Sequence, residues 1–490
     1  MPVDRNPNST PPWRVVVIGG GLSGLAAAHR IYERSAQSRL PVELVVLEAK
    51  DRIGGVIWTE RRDGFTIEGG PDSFITNKPW GLQLCQRLGL TEQLLPTDPS
   101  HRRSFVVSNG RLGPVPDGFV LMAPHRILPV LTSPVLSWRG KLRFLMDLVI
   151  PRRDQEAEES LASFVRRRLG REALEKLVQP LVGGIYTGDP NDLSLRATLP
   201  QFLAMEREHG SLIRAAWRQR DERLQHSRSS GARYGLFVTL APGMHTLPAA
   251  LAQALPPGTV RTGSSVRRIS RHEPTGRWLV ELLDRPSIEA DAVIVSTEAH
   301  ATARMIDALD PSLALQLRAI PYASSVIVNV AYRRDQVKHP LDGFGAVVPA
   351  VENRSILAIS FISVKFPQRA PAGTVLLRVF LGGALQPNLL DLEDEAIGDL
   401  VARELGELIG VSGAPILQHI GRHPRSMPQY TLGHLERVAA IRQRLSKHPR
   451  LFLAGIAFDG VGIPDCIRVA EATAERVVAE FENPAATVAA

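Results

Sequence analysis

Three glycine-rich stretches of this chain have the residue types and spacing to hold a dinucleotide. The first, Gly19-Gly20-Gly21-Leu22-Ser23-Gly24, directly follows the apolar run Val15–Ile18. Gly19 permits a tight turn, Gly21 leaves room for a pyrophosphate against the backbone, and Gly24 lets the next helix lie close to the strand. A helix from about Leu22 to Glu33 would aim its first N–H groups at the phosphates. Glu48 closes a second apolar run 24 residues after Gly24, where a carboxylate can accept hydrogen bonds from ribose hydroxyls. The second stretch is Arg52-Ile53-Gly54-Gly55. The third is Gly455-Ile-Ala-Phe-Asp459-Gly460-Val461-Gly462-Ile463. It leads to a helix read as Ile467–Phe481 with Asp465 as N-cap. Backbone N–H groups and a helix dipole there would favour negative charge on a bound ring.

Two buried strands, Val15–Ile18 and Val42–Leu47, must position the first two stretches. A third, Ala290–Ser296, is placed beside them, and Leu451–Gly455 carries the closing loop. The fold class is α/β. A Rossmann-like nucleotide-binding domain (1–95, 221–300 and 426–490) is interleaved with a mostly helical lobe (96–220) and a substrate-binding α+β domain (301–425). In the lobe, Ser160 is expected to cap an amphipathic helix, and Arg171–Val178 continues the helical pattern. Residues 205–235 read as a polar loop or frayed helix. Strands are expected at Ser265–Ser270, Trp278–Leu283, Val326–Tyr332, Ile356–Phe361 and Val375–Leu381.

At 490 residues, two or three lobes are expected. A hydrophobic share of 44% and a charged share of 22% describe an ordinary globular protein. The net charge of +8 comes from scattered arginines without zinc spacing or interleaved aromatics, which argues against nucleic acid. Two cysteines, Cys85 and Cys466, make neither a disulfide framework nor a metal site and suit a reducing, cytoplasmic setting. No signal peptide or membrane-spanning run is read. Gly118–Ile150 is the best candidate for peripheral contact with the inner face of a membrane, though Pro124, Pro129 and Pro134 interrupt it.

The Arg52-x-Gly54-Gly55 pair after the fingerprint resembles FAD-containing amine oxidases, phytoene desaturases and protoporphyrinogen oxidases. Four further segments narrow this. They are Glu68-Gly-Gly-Pro-Asp-Ser-Phe74, Gly183-Gly-Ile-Tyr-Thr-Gly188, Gly343-Phe-Gly345 and Met427-Pro-Gln-Tyr430-Thr-Leu-Gly-His434. With the closing loop they resemble the protoporphyrinogen oxidase and coproporphyrinogen III oxidase family over nearly the whole chain. The resemblance implies oxygen-dependent oxidation of a porphyrinogen to the porphyrin in heme biosynthesis, releasing hydrogen peroxide. It implies FAD held by Gly19, Gly20, Gly21, Leu22, Ser23, Gly24, Glu48, Ala49, Arg52, Gly55, Val56, Gly70, Pro71, Asp72, Ser73, Val266, Val461, Gly462 and Ile463. No cysteine stands in the pattern of covalent flavin attachment, so the FAD is expected to be non-covalent. Substrate contacts implied are Arg103 to a propionate, the Gly184 carbonyl to pyrrole N–H groups, Phe344 packed on a pyrrole, and Phe380 lining the pocket. The family's tryptophan before Met427 is replaced by Arg422-His423-Pro424.

No catalytic dyad or triad is read. His423 and His434 are the only histidines in motif segments, and a lone histidine is more often structural. Two alternatives stand beside this reading. One is a flavin amine oxidase or carotenoid desaturase; amine oxidases usually place a glutamate after the final Ala-Gly, where this chain has Ile456. The other is a binding protein with a structural FAD. The choice between coproporphyrinogen III and protoporphyrinogen IX, a ferrochelatase partner, a homodimer and membrane association are left open by the sequence.

Overall fold

The computed structural model describes residues 11–101, 103–153, 157–218 and 236–483. Five parallel strands form the nucleotide-side sheet, in the order Val260–Arg261, Val42–Leu47, Trp13–Ile18, Ala292–Val295, Leu451–Leu453. Val15, Val16 and Val17 are fully buried because both faces are covered. Val15 and Val17 pack with the helices Leu22–Ser38 and Ile463–Glu482. Val16 and Ile18 pack under the helices Ala299–Ile306 and Pro311–Arg318 and the small sheet that begins at Val266–Arg271. The first helix therefore runs past Glu33. Arg30 and Arg34 in it bond to Glu475 of the closing helix and extend the packed face.

A second, seven-stranded sheet has the order Leu417–Pro428, Tyr322–Arg333, Thr374–Gly382, Ala358–Phe361, Gly345–Val347, Phe105–Ser108, Arg111–Pro114. Three features correct the expected organisation. The strands at 105–114, read as part of a helical lobe, join this sheet, with Phe105 and Val106 pairing in parallel with Ala346 and Val347. Asn109 and Gly110, both at positive φ, close their hairpin, a turn that such a dipeptide favours. The two helices over 299–318 pack on the nucleotide-side sheet rather than the second one. The strand Leu417–Pro428 crosses the expected boundary at 425.

The remaining lobe is helical. Ser160 caps Leu161–Arg168 by accepting from Ser163 N–H at 3.2 Å. Arg171–Ala173 passes through a π turn at Leu174–Val178 into Gln179–Tyr186. Arg168, fully buried, is held by Asp147 and by Glu206 at 3.4 Å. Of the polar stretch 205–235, the part from 219 on lies outside the described residues. No helix among the described residues is long and apolar enough to cross a membrane.

Candidate functional site

The first glycine stretch is shaped by contacts that leave one side open. Gly19, at φ +108, donates to Leu47 O at 2.8 Å. A Cβ on Gly24 would lie 1.9 Å from Gly19 O and 2.6 Å from Ser296 Oγ, so only glycine lets the helix start this near the strand. A Cβ on Gly20 would meet Glu48 at 2.8 Å. A Cβ on Gly21 would meet nothing nearer than Gly55 Cα at 3.9 Å. The space over Gly21 is thus free for a ligand. The first helix begins there with no side chain capping it, leaving its first N–H groups to an anion.

Glu48 is buried and does a second job besides the one expected of it. Its carboxylate accepts from Gly20 N–H at 2.7 Å and from Lys50 N–H at 2.9 Å. One N–H of the phosphate loop is therefore turned inward and held by the residue read as the ribose acceptor. Each oxygen keeps a further lone pair. Ala49 is exposed beside it. Gly263 donates to Lys50 O and Ser264 to Glu48 O, both at 2.8 Å, and Val266 follows at the start of its strand. Val266 is thereby brought to the Glu48 end of the cleft.

The second stretch lies against the first. Gly54 donates to Gly20 O at 2.8 Å, Gly55 faces Gly21, and Arg52 donates to Gly55 O at 2.9 Å. Val56 is exposed, and its carbonyl would lie 1.8 Å from a Cβ on Gly70. The loop Gly70-Pro71-Asp72-Ser73 continues from here. Asp72 accepts from Ser73 Oγ at 2.6 Å and from Lys365 Nζ at 3.1 Å. Burial alone would raise its pKa. The nearby cations of Lys365 and Arg378 and these hydrogen bonds reverse that and hold it well below the usual carboxylate range.

The third stretch begins a longer helix than expected. Gly462 is the N-cap of Ile463–Glu482, with Pro464 in the first turn, so Asp465 is inside the helix and does not cap it. Asp465 instead pairs with Lys78 at 2.6 Å and remains favourable in a first turn. Val461 packs toward the helical lobe, and Ile463 is buried with Leu22. The two uncapped helix N-termini therefore open on one region of the protein. Tyr430 ties the loop down: its hydroxyl donates to Ile456 O at 2.6 Å and accepts from Gly460 N–H at 2.8 Å. His434 stacks on Tyr430 with ring centroids 4.0 Å apart. His434 is fully buried, and burial pushes its pKa down to about 4. A neutral packed ring fits the structural reading of this histidine.

The residues read as substrate contacts fall on two linked pairs of segments. Phe344 N–H donates to Arg103 O at 2.9 Å, so these two meet just before two adjacent strands of the second sheet. The Arg103 guanidinium is largely exposed and pairs with Asp342 at 3.2 Å. Gly184 is exposed, with open space where a Cβ would be, in the last turn of its helix, where carbonyls lack helical partners. Ala384 donates to Thr187 O at 2.7 Å, tying that helix end to the strand that carries Phe380. Phe380 is half-buried.

Sequence reasoning missed a buried ionic cluster under Glu68–Ser73. Glu68 accepts from Thr59 Oγ1 at 2.7 Å and pairs with Arg369 at 3.1 Å. Arg378 donates to Gly70 O. The available signal was Arg378 itself, a charged residue inside the apolar strand Thr374–Gly382.

The model of the flavin containing amine oxidoreductases matches residues 22–478. The chain is 36% identical to a coproporphyrinogen III oxidase of Bacillus subtilis (strain 168), across 92% of this chain and 95% of that protein. It is 33% identical to a protoporphyrinogen oxidase of Bos taurus, across 96% and 99%. The crystal structure of a candidate protoporphyrinogen oxidase from Exiguobacterium sp. 255-15 superposes with a TM-score of 0.84 at 31% identity, covering 96% of this chain and 100% of that one.

Proposed function

The chain belongs to the flavin-containing amine oxidoreductase family, and within it we propose oxidation of a porphyrinogen to the porphyrin in heme biosynthesis, with dioxygen as acceptor. The observation that carries the reading is the glycine cradle, open at Gly21 and closed at Gly20 and Gly24, in a chain alike over nearly its full length to porphyrinogen oxidases. The cofactor is FAD. The residues that would hold it are Gly19 to Gly24 and Glu48 for the dinucleotide, with Arg52, Gly55, Gly70 to Ser73 and Val461 to Ile463 along the rest. When bound, FAD supplies a two-electron acceptor.

The work of the protein is then binding and placement. A porphyrinogen loses six electrons and six protons on the way to porphyrin. Three dioxygen molecules taking two electrons and two protons each give three molecules of hydrogen peroxide, which balances. Pyrrole N–H protons leave as the ring is oxidised, so no strong side-chain base is required. Phe344 and Phe380 would hold the macrocycle by apolar contact, Arg103 would hold a carboxylate at the rim, and the Gly184 carbonyl would accept from pyrrole N–H groups.

The surface of the helical lobe supports peripheral attachment to an anionic bilayer. Leu128, Trp138, Leu142, Met146 and Val149 stand exposed within one stretch, interleaved with Arg126, Arg139 and Lys141. The test of function is the purified protein assayed in parallel with coproporphyrinogen III, protoporphyrinogen IX and a polyamine, following peroxide and porphyrin together. Porphyrin formed with three equivalents of peroxide supports the reading. Peroxide from the amine alone refutes it.

A further inference from the structure

The second sheet has two faces of opposite character. Val326, Val328, Val330, Leu377 and Val379 bury one face under the helix Asp394–Ile409. Strand alternation puts Ile327, Asn329, Arg378, Phe380, Gly421 and His423 on the other. That polar face meets the nucleotide-side loop. Asn329 donates to Glu68 O at 3.2 Å, and Arg378 donates to Gly70 O.

Arg378 is a buried cation whose neighbours are already committed. It is 2% exposed. The two carboxylates whose fields reach it are Asp72 and Glu68. Asp72 is paired with Lys365 and Glu68 with Arg369, each at 3.1 Å. The Nε of Arg378 has no hydrogen-bond partner among the described residues. A guanidinium serving only as a tie between strand and loop would have its donors spent, because an unpaired buried charge is costly. A second unspent atom lies on the same face. The Nε2 of His423 is buried without a hydrogen-bond partner among the described residues. Burial lowers the pKa of His423, and the cations Arg378, Lys50 and Arg52 lower it further, while the Gly69 backbone opposes them. Arg52 opens the stretch that lies on the glycine cradle, and Lys50 stands two residues before it. Three cations thus surround His423, and the two carboxylates acting on Arg378 are each shared with another cation.

Resting on the FAD reading above, we propose that Arg378 and His423 are donors to the bound flavin, placed to stabilise the negative charge it gains on reduction. His423 would do so where the resembled family carries tryptophan. Arg378, with the larger and permanent charge, is the dominant member, and His423 contributes a neutral N–H.

The experiment measures the flavin midpoint potential of the holoprotein under anaerobic titration against a reference dye, with FAD affinity of the apoprotein in parallel. Wild-type protein that binds no FAD would overturn the underlying reading and not merely this one. Arg378→Met is expected to lower the preference for reduced over oxidised FAD at least tenfold, a fall of about 30 mV for a two-electron couple. His423→Phe, at a half-buried position that should tolerate the ring, is expected to lower the potential by a smaller amount, and His423→Gln to recover part of it by restoring a donor. If Arg378→Met does not fold, the His423 pair carries the test. Unchanged potentials with normal FAD content in the His423→Phe and Arg378 variants would overturn the proposal. So would unchanged potentials with weakened binding of coproporphyrin relative to its tetramethyl ester, which would give the donors to substrate carboxylates.

Discussion

Gly21→Ala and Gly24→Ala change two glycines three residues apart, and the structure assigns them opposite consequences. Gly21 has φ −73 and ψ 178, values any residue adopts, and its nearest prospective neighbour is 3.9 Å away. Alanine there should leave the apoprotein as stable as wild type, or more so by about 0.4–1 kcal/mol, since it reduces the freedom of the unfolded chain. The added methyl would occupy the space over the glycine loop. If that space receives the pyrophosphate, overpacking should cost about 1–3 kcal/mol, or roughly 5- to 150-fold in FAD affinity. Gly24 is the reverse case. Its Cβ would lie 1.9 Å from Gly19 O, so the helix must shift and the apoprotein should lose about 1–3 kcal/mol before any cofactor is added. The assay is thermal melting of both apoproteins, followed by FAD titration. A Gly21→Ala protein with wild-type affinity, or a Gly24→Ala apoprotein melting with wild type, would refute the reasoning.

Three further outcomes follow from the same structure. His434 titrates near pH 4 when folded but near 6.5 when unfolded, so the unfolded chain takes up the proton first on acidification. Stability from its burial is therefore full above about pH 6.5 and lost as pH falls toward 4, by on the order of 3 kcal/mol. His434→Phe should flatten that part of a denaturation-versus-pH curve, and an unchanged slope would contradict the account. Arg168→Met leaves Asp147 buried without its cation and should cost about 3–5 kcal/mol in chemical denaturation, whereas changing both residues to apolar ones should cost less. Phe380→Ala should raise the apparent KM and lower kcat for porphyrinogen with normal FAD content, and Arg103→Ala should raise KM mainly, by a factor that shrinks as salt rises. Wild-type kcat/KM in both would place the pocket elsewhere.

What could be read in the sequence was local. Gly19 to Gly24, the strand before them and Glu48 lie within one short unit, and each glycine has the local geometry its spacing suggests, while Glu48 also braces Gly20 N–H. The closing loop is legible as a cradle, but its helix starts two residues before Asp465, with Gly462 as N-cap and Pro464 in the first turn. Asn109-Gly110 is a local hairpin signal, and the structure has the hairpin there. Its pairing with Gly345–Val347 joins segments far apart in sequence, and no local pattern encodes such a register. The cluster of Glu68, Asp72, Lys365, Arg369 and Arg378 stayed hidden for the same reason, since its members come from separate strands and loops. Only an arginine inside an apolar strand pointed to it.

The most direct test of the central claim separates reduction from turnover. The flavin-loaded protein is mixed with coproporphyrinogen III or protoporphyrinogen IX without oxygen, and the yellow flavin absorbance is followed together with porphyrin fluorescence. The account predicts that the flavin bleaches as porphyrin-type fluorescence rises and that admitted oxygen restores it with release of peroxide. A flavin that stays oxidised with both porphyrinogens, yet bleaches with an amine, would contradict it.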